Sequence, residues 1–168
     1  KYQGEENSLI IGNDNKIREY VNMNPGTKGG GGITKIGNKN LIMVLCHVAH
    51  DCDIGDNTIL ANNVQMAGHV KIENNAIIGG STAIHQFCRI GEMAMIGGMT
   101  GITSDVIPFG LSFGNRNYLN GINLVGLRRA KISNENIKIM QLAYDIIFNS
   151  DNFRSNIDLL NSEIKNNE

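Results

Sequence analysis

Residues 36–107 decide the fold, and they read IGNKNLIMVLCHVAHDCDIGDNTILANNVQMAGHVKIENNAIIGGSTAIHQFCRIGEMAMIGGMTGITSDVI. An aliphatic residue or methionine returns at every sixth position of this stretch, from Ile36 to Ile102. A second position, four residues after each of these, holds a small or β-branched side chain in every repeat except at Asn40. A period of six fits neither an α-helix nor a free two-residue alternation. It predicts an all-β solenoid in which three hexapeptides, each with one short strand, complete a coil and the two recurring positions point inward.

The positions between the inward ones are rich in Asn, Asp and Gly, which adopt left-handed backbone more readily than other residues and so suit sharp corners. We therefore predict a parallel β-helix of hexapeptide repeats over residues 1–107. An inserted loop at 24–35 interrupts it, because the in-phase residues Met23 and Ile36 are thirteen positions apart. Residues 108–168 lack the repeat, and we expect them to form a connector and a small C-terminal α-helical appendage.

The inserted loop contains four consecutive glycines at 29–32. Such a run can form a phosphate cradle, but it lacks the strand–loop–helix frame and the Gly-Lys-Ser/Thr ending of a P-loop. We interpret it as a flexible excursion that lies over a neighbouring surface.

Composition excludes several classes of function. Fifteen basic and sixteen acidic residues give a net charge of −1, so no broad basic field favours nucleic acid or a membrane surface. There is no eighteen-residue apolar stretch and no signal-like amino terminus, which predicts a cytoplasmic protein. The three cysteines all occupy inward positions and are expected to be reduced core residues.

The repeat length allows histidines to be placed relative to one another. One coil after His50 comes Gly68, and one coil after that comes Gln86. His69 directly follows Gly68, and His85 directly precedes Gln86. Three of the four histidines should therefore gather near one edge of the solenoid, on successive coils about 5 Å apart.

Two chemistries fit such an edge. Imidazoles on neighbouring coils could bind zinc, as in carbonic anhydrases with this prism-shaped architecture, although no carboxylate or cysteine completes an obvious set of ligands. Alternatively, His50 could act as a general base, with Asp51 orienting its ring. The N–H of Gly68 could then stabilise an oxyanion, because no side chain blocks approach to it.

Several stretches resemble one family, the UDP-N-acetylglucosamine O-acyltransferases. They are HVAHD, AGH and IHQF within the repeats, IREYVNMNPGT upstream and GINLVGLRR downstream. The resemblance implies a left-handed β-helix and a homotrimer with sites between subunits. It implies transfer of an (R)-3-hydroxyacyl group from acyl carrier protein to the 3-hydroxyl of UDP-N-acetylglucosamine, the first step of lipid A biosynthesis. No metal and no cofactor is implied beyond the phosphopantetheine of the carrier. The chain also looks truncated at both ends relative to the family.

The resemblance assigns roles to individual residues. It implies that His50 is the general base, Asp51 its partner and Gly68 the oxyanion donor. Positions that match the family's substrate-binding residues are Lys1, His47, His69, His85, Gln86, Asn123 and Arg129. Gly98 occupies the position of the ruler that sets acyl-chain length.

The chain departs from the family pattern at Asn24, where a histidine is usual, at Val125, where an acidic residue is expected, and at Ala130, where a second arginine follows the first. These departures bear on nucleotide binding more than on acyl transfer. Three other functions stay open beside the main one: N-acyl transfer to an amino sugar by a related hexapeptide-repeat enzyme, a zinc-dependent carbonic anhydrase-like activity, and a non-catalytic scaffold.

Overall fold

The computed structural model describes residues 4–148 and 155–157, and it confirms the predicted left-handed parallel β-helix. The strands are β1 Ser8–Ile11, β2 Lys16–Ile17, β3 Asn22–Met23, β4 Ile33–Ile36, β5 Leu41–Ile42, β6 His47–Val48, β7 Asp53–Ile54, β8 Ile59–Leu60, β9 Gln65–Met66, β10 Lys71–Ile72, β11 Ile77–Ile78, β12 Ala83–Ile84, β13 Arg89–Ile90, β14 Met95–Ile96, β15 Gly101–Ile102, β16 Gly110–Phe113 and β17 Tyr118–Ile122. The helices are α1 Leu124–Arg129 and α2 Asn134–Phe148, and a short 3-10 turn spans Lys28–Gly30.

Three walls run along the solenoid, and up to β15 each is a sheet of every third strand, with β16 and β17 added to one wall. Their orders are β1-β4-β7-β10-β13, β2-β5-β8-β11-β14-β16-β17 and β3-β6-β9-β12-β15. From β4 to β15, strands pair in parallel with a constant offset of three hexapeptides, as in the partnership of Ile54 with Ile72. Across the inserted loop the offset is longer by seven positions, since Ile11 pairs with Ile36. The loop thus lengthens one coil without disturbing the register.

The core consists of the two inward positions predicted from the repeat. The twelve aliphatic or methionine positions from Ile36 to Ile102 are at most 2% exposed, and the twelve smaller positions are at most 5% exposed. Asn40, the exception among the small positions, is satisfied inside the core. Its Nδ2 donates to the Gly55 carbonyl at 2.9 Å, and its Oδ1 accepts from the N–H and the hydroxyl of Thr58 at 2.7 and 2.8 Å.

Each coil turns its corners through a residue in the left-handed backbone region. At the corner that follows the β3-β6-β9-β12-β15 wall these residues are Asp51, His69 and Phe87, with φ of 61°, 61° and 67°. The corner amide bonds back to the preceding coil, so that the His69 N–H donates to the His50 carbonyl at 3.1 Å. Asp51, His69 and Phe87 therefore form one column, which we call the Asp51 corner.

The chain divides into two compact units, Lys1–Asn123 and Leu124–Glu168. The segment expected to be a connector contains β16 and β17, an antiparallel pair whose first strand continues a wall of the β-helix. In the second unit, Ser133 precedes α2, and its hydroxyl accepts from the N–H of Asn136 at 3.1 Å, as expected of an N-cap. Among the described residues, no helix combines the length and the apolar character needed to cross a membrane.

Candidate active site

The central feature of the Asp51 corner is a hydrogen-bonded pair of neighbours. His50 Nδ1 lies 2.7 Å from Asp51 Oδ2. The Asp51 side chain is only 1% exposed, whereas 44% of the His50 side chain is exposed. Because an ionised carboxylate can only accept, His50 Nδ1 must carry the proton, and Nε2 of the neutral ring is left as an acceptor. The pair therefore presents a base to solvent and buries the charge that orients it.

Residues of the inserted loop hold Asp51 in its ionised form. Thr27 donates its N–H to Oδ1 at 2.7 Å and its hydroxyl to Oδ2 at 2.6 Å, while the Asp51 N–H donates to the Thr34 hydroxyl at 2.8 Å. Burial by itself raises the pKa of Asp51. The hydrogen bonds from Thr27 and His50 and the nearby His69 outweigh burial and hold that pKa below its ordinary value of 3.8.

Gly68 supplies the surface against which the His50 ring lies. A Cβ added to Gly68 would be 2.6 Å from His50 Cε1 and 2.9 Å from Nε2, so any larger residue would displace the imidazole. The backbone of Gly68 is buried. Across the described ranges its N–H donates to no protein acceptor. The Gly68 N–H is therefore available to donate to an oxyanion, which is the role that the sequence predicts for it.

His69 and Phe87 extend the site along the same column. The His69 and His50 rings lie 5.2 Å apart at 88°, and His69 Nε2 is 3.9 Å from Asp51 Oδ2. The predicted approach of these two imidazoles is confirmed. Phe87 stacks on the other side of His69 at 4.6 Å and is 66% exposed. The sequence reasoning missed Phe87, although one further coil from His69 leads directly to it.

The remaining predicted residues of this wall lie beside the column. His47 is in β6, and its Nδ1 lies 2.9 Å from Asn22 Oδ1. His85 follows β12 and is exposed, with Nδ1 3.2 Å from the Gln86 carbonyl. Gln86 is also exposed. Among the described residues, the rings in contact with His69 are those of His50 and Phe87, so His85 is not part of this stack.

Other predicted site residues lie at different corners. Gly98 follows β14, and a Cβ added to it would meet only the Gly80 backbone, at 3.2 Å from the carbonyl oxygen. Asn123 donates its side-chain amide to the Met93 carbonyl at 2.9 Å, at the corner opposite the β3-β6-β9-β12-β15 wall. Arg129 ends α1 in the second unit. Lys1 lies outside the described residues. Gly98 and Asn123 are therefore not brought to His50 within one β-helix.

The Asp51 corner also contains a group of side chains of the kind that binds metal ions. His50, Asp51 and His69 each offer a ligand atom within 4.8 Å of the others, so the Asp51 carboxylate lies beside the two imidazoles. Donors on a tetrahedral zinc, with bonds of about 2.0–2.2 Å, are roughly 3.4 Å apart. His50 Nδ1 and Asp51 Oδ2 are 2.7 Å apart, and Oδ2 also accepts from the Thr27 hydroxyl. The observed geometry is that of a hydrogen-bonded pair.

Comparison with known proteins gives two family matches and several close relatives. Residues 105–168 match the family described as Udp N-acetylglucosamine O-acyltransferase, Domain 2, and residues 33–68 match the family described as Bacterial transferase hexapeptide (six repeats). Two curated relatives, from Paracoccus denitrificans and Aliarcobacter butzleri, are both named acyl-[acyl-carrier-protein]–UDP-N-acetylglucosamine O-acyltransferase. They are 55% and 52% identical over 84% and 88% of this chain.

A solved structure gives the same result. The UDP-N-acetylglucosamine acyltransferase from Campylobacter jejuni superposes with a TM-score of 0.90 over 97% of this chain at 37% identity. The chain spans 54% and 57% of the two curated relatives and 64% of the Campylobacter chain. The likeness thus extends over nearly all of this chain but over part of each relative.

Proposed function

Because the chain belongs to the UDP-N-acetylglucosamine O-acyltransferase family, we propose that it transfers an (R)-3-hydroxyacyl group from acyl carrier protein to the 3-hydroxyl of UDP-N-acetylglucosamine. This is the first step of lipid A biosynthesis. The observation that carries the proposal is the His50–Asp51 pair, in which a buried carboxylate fixes an exposed imidazole beside Gly68. A base held in one orientation next to an unblocked backbone N–H is what acyl transfer to a hydroxyl needs.

The reaction follows from the protonation states of the pair. His50 Nε2 takes the proton of the sugar 3-hydroxyl as that oxygen attacks the thioester carbonyl carbon. The new C–O bond forms a tetrahedral intermediate, whose oxyanion would be stabilised by the Gly68 N–H. The C–S bond then breaks, and the imidazolium returns the proton to the departing thiolate of the carrier's phosphopantetheine. Throughout, the Asp51 carboxylate stabilises the imidazolium without itself being protonated.

The assembly is part of the same proposal. His47, His69, His85 and Gln86 share the wall or corner of His50 and would line the sugar and acyl sites. Gly98 and Asn123 lie at the other two corners, so in a homotrimer the corners of neighbouring subunits could complete each other's sites. Arg129, at the basic end of α1, would contact nucleotide or phosphate. Acyl carrier protein as donor, the absence of any other cofactor, and a cytoplasmic location are proposed together with this activity.

An assay with defined substrates tests the proposal. The chain is incubated with UDP-N-acetylglucosamine and (R)-3-hydroxyacyl carrier proteins of several chain lengths, and products are separated by mass spectrometry. We expect an ester-linked 3-O-acyl product. An amide formed with an amino-sugar acceptor would identify the related N-acyltransferase activity instead. Failure to bind both the UDP-sugar and the carrier protein would support a scaffold role.

The cluster of His50, Asp51 and His69 favours one further candidate, a zinc-dependent hydratase. Metal analysis of the purified protein and an assay of CO₂ hydration before and after chelation test it. One zinc per chain with chelator-sensitive hydration would support it. Acyl transfer that is unaffected by chelation would support the base mechanism.

A further inference from the structure

We propose that the loop at 24–35 is a positioning element for the base: Thr27 clamps the Asp51 carboxylate, and the bare backbone of Gly30 covers it, so that Oδ2 stays on His50 Nδ1. The inference deepens the proposed function and rests on His50 as its base. It gives roles to Thr27 and Gly30, neither of which contacts the sugar or acyl group in the mechanism above.

The clamp acts on both oxygens of one carboxylate. The Thr27 N–H holds Oδ1 at 2.7 Å, and its hydroxyl holds Oδ2 at 2.6 Å. Rotation of the carboxylate about its Cβ–Cγ bond would break at least one of these charge-assisted hydrogen bonds. His50 Nδ1 takes a remaining acceptor direction of Oδ2 at 2.7 Å. The clamp therefore determines which way the carboxylate faces the imidazole.

The four glycines at 29–32 differ in what surrounds them and in their backbone angles, and this difference defines the role of Gly30. A Cβ on Gly30 would overlap with the Asp51 carboxylate, both its carbon and its oxygens. Gly31 and Gly32 instead adopt φ of 94° and 80°, which side-chain-bearing residues avoid. Gly29 has neither constraint, because a Cβ there would meet no atom within 4 Å. One glycine of the four is thus required by the carboxylate itself.

The loop is folded back on itself, and its own backbone hydrogen bonds hold Thr27 in place. The N–H groups of Gly30 and Gly32 both donate to the Thr27 carbonyl, at 3.0 and 2.8 Å. Beyond the loop's glycines, Thr34 accepts the N–H of Asp51 at 2.8 Å. Thr27 in the loop and Thr34 in β4 therefore hold one aspartate, whose side chain is 1% exposed. Preorganisation of this kind fixes the group that orients a catalytic base.

Imidazole nitrogen shifts from protein labelled with ¹⁵N-histidine test the inference without any substrate. Wild-type His50, assigned by comparison with His50→Gln, should show the Nδ1–H tautomer when neutral. Gly30→Ala should displace the carboxylate and shift His50 toward the Nε2–H tautomer. Gly29→Ala makes the same change one residue away and should leave the spectrum unchanged. A folded Gly30→Ala protein with the wild-type His50 tautomer would overturn the proposal.

A second pair of variants isolates the Thr27 hydroxyl. Thr27→Val keeps the shape and loses the hydroxyl, whereas Thr27→Ser keeps it. We expect kcat for ester formation to fall about tenfold in Thr27→Val, with KM for the UDP-sugar unchanged, and Thr27→Ser to stay near wild type. Equal kcat values for the two variants would overturn the clamp. If wild-type protein transfers no acyl group, the proposed function fails, and the tautomer measurement still decides the positioning role.

Discussion

The coils at 36–107 and the loop at 24–35 contribute to the molecule in different ways. In the coils, structure follows from burial: every inward position is at most 5% exposed, and the walls repeat with one register. In the loop, Thr27 and Gly30 meet a single side chain, Asp51, and no repeat sets their position. The coils bring the site residues together, and the loop orients the one buried charge among them. Stability and site orientation should therefore respond to different substitutions.

The largest expected effect falls on the base that the coils present. His50→Gln removes the proton acceptor, and we expect the rate of ester formation to fall about a thousandfold, within the usual range for a general base. The free energy of unfolding should change little, because the side chain is 44% exposed and the glutamine amide can still donate to Asp51. Initial rates of 3-O-acyl product formation and urea unfolding measure the two quantities. Turnover within tenfold of wild type would remove His50 from the mechanism.

A substitution in the core should reverse this pattern. Ile72 is 1% exposed and is surrounded by other inward side chains. Ile72→Ala should lower the free energy of unfolding by about 3 kcal/mol, through lost burial and a residual cavity, as measured by urea unfolding. The activity of the folded fraction should persist, because Ile72 takes no part in the proposed mechanism.

Ile139 on α2 provides the matched control for Ile72, since it is the same residue type but 55% exposed. Ile139→Ala should change the free energy of unfolding by less than about 0.5 kcal/mol. Similar losses for the two variants would show that the inward repeat positions do not carry the stability of the coils.

Removal of residues 25–31 is the direct test of the loop. The deletion takes out the seven extra residues and restores the regular offset of three hexapeptides, while Thr34 and the strands stay in place. We expect the β-helix to form and acyl transfer to fall about a hundredfold, because Asp51 loses its clamp and the base loses its fixed orientation. Circular dichroism and the ester assay measure the two outcomes. A deletion variant that fails to fold would show that the loop also stabilises the coil.

The same contrast explains how much the sequence could predict. The six-residue period determines the walls, the core and the spacing between coils, so it also predicted that His50 and His69 are neighbours. It could have predicted Phe87, which lies one coil beyond His69. The strand pair β16–β17 was missed because its Gly- and Asn-rich sequence has no recurring apolar position.

Contacts of the inserted loop could not be read in this way. The side chain that Thr27 meets depends on how the loop folds back, through hydrogen bonds of Gly30 and Gly32 to the Thr27 carbonyl. No periodicity links position 27 to position 51. The glycine run suggested flexibility, whereas its members have separate steric and conformational requirements. Because the loop has no repeat, its sequence shows which residue types it contains but not which residues they contact.

Apart from the Ile139 control, the smallest predicted effect concerns the Thr27 hydroxyl and depends on pH. Since the folded pKa of Asp51 is below 3.8, its ionised form stabilises the protein fully above that value, and the contribution is lost as pH falls through the folded pKa. Thr27→Val should cost about 1.5 kcal/mol of unfolding free energy at pH 7, and this difference should shrink below about pH 3.8. Thr27→Ser should show little loss at either pH.

Few other ionisable groups near Asp51 could make the effect of Thr27→Val on the unfolding free energy depend on pH. His50 and His69 face the carboxylate. Burial, with a smaller contribution from Asp51, raises the pKa of the adjacent Cys52 thiol to about 11, so it stays neutral throughout acid unfolding. Urea unfolding of His50→Gln with and without Thr27→Val separates the imidazole contribution. If Thr27→Val lowers the free energy of unfolding equally at pH 7 and pH 3, the hydroxyl stabilises the loop rather than the charge of Asp51. The coils and the loop would then differ only in how they pack.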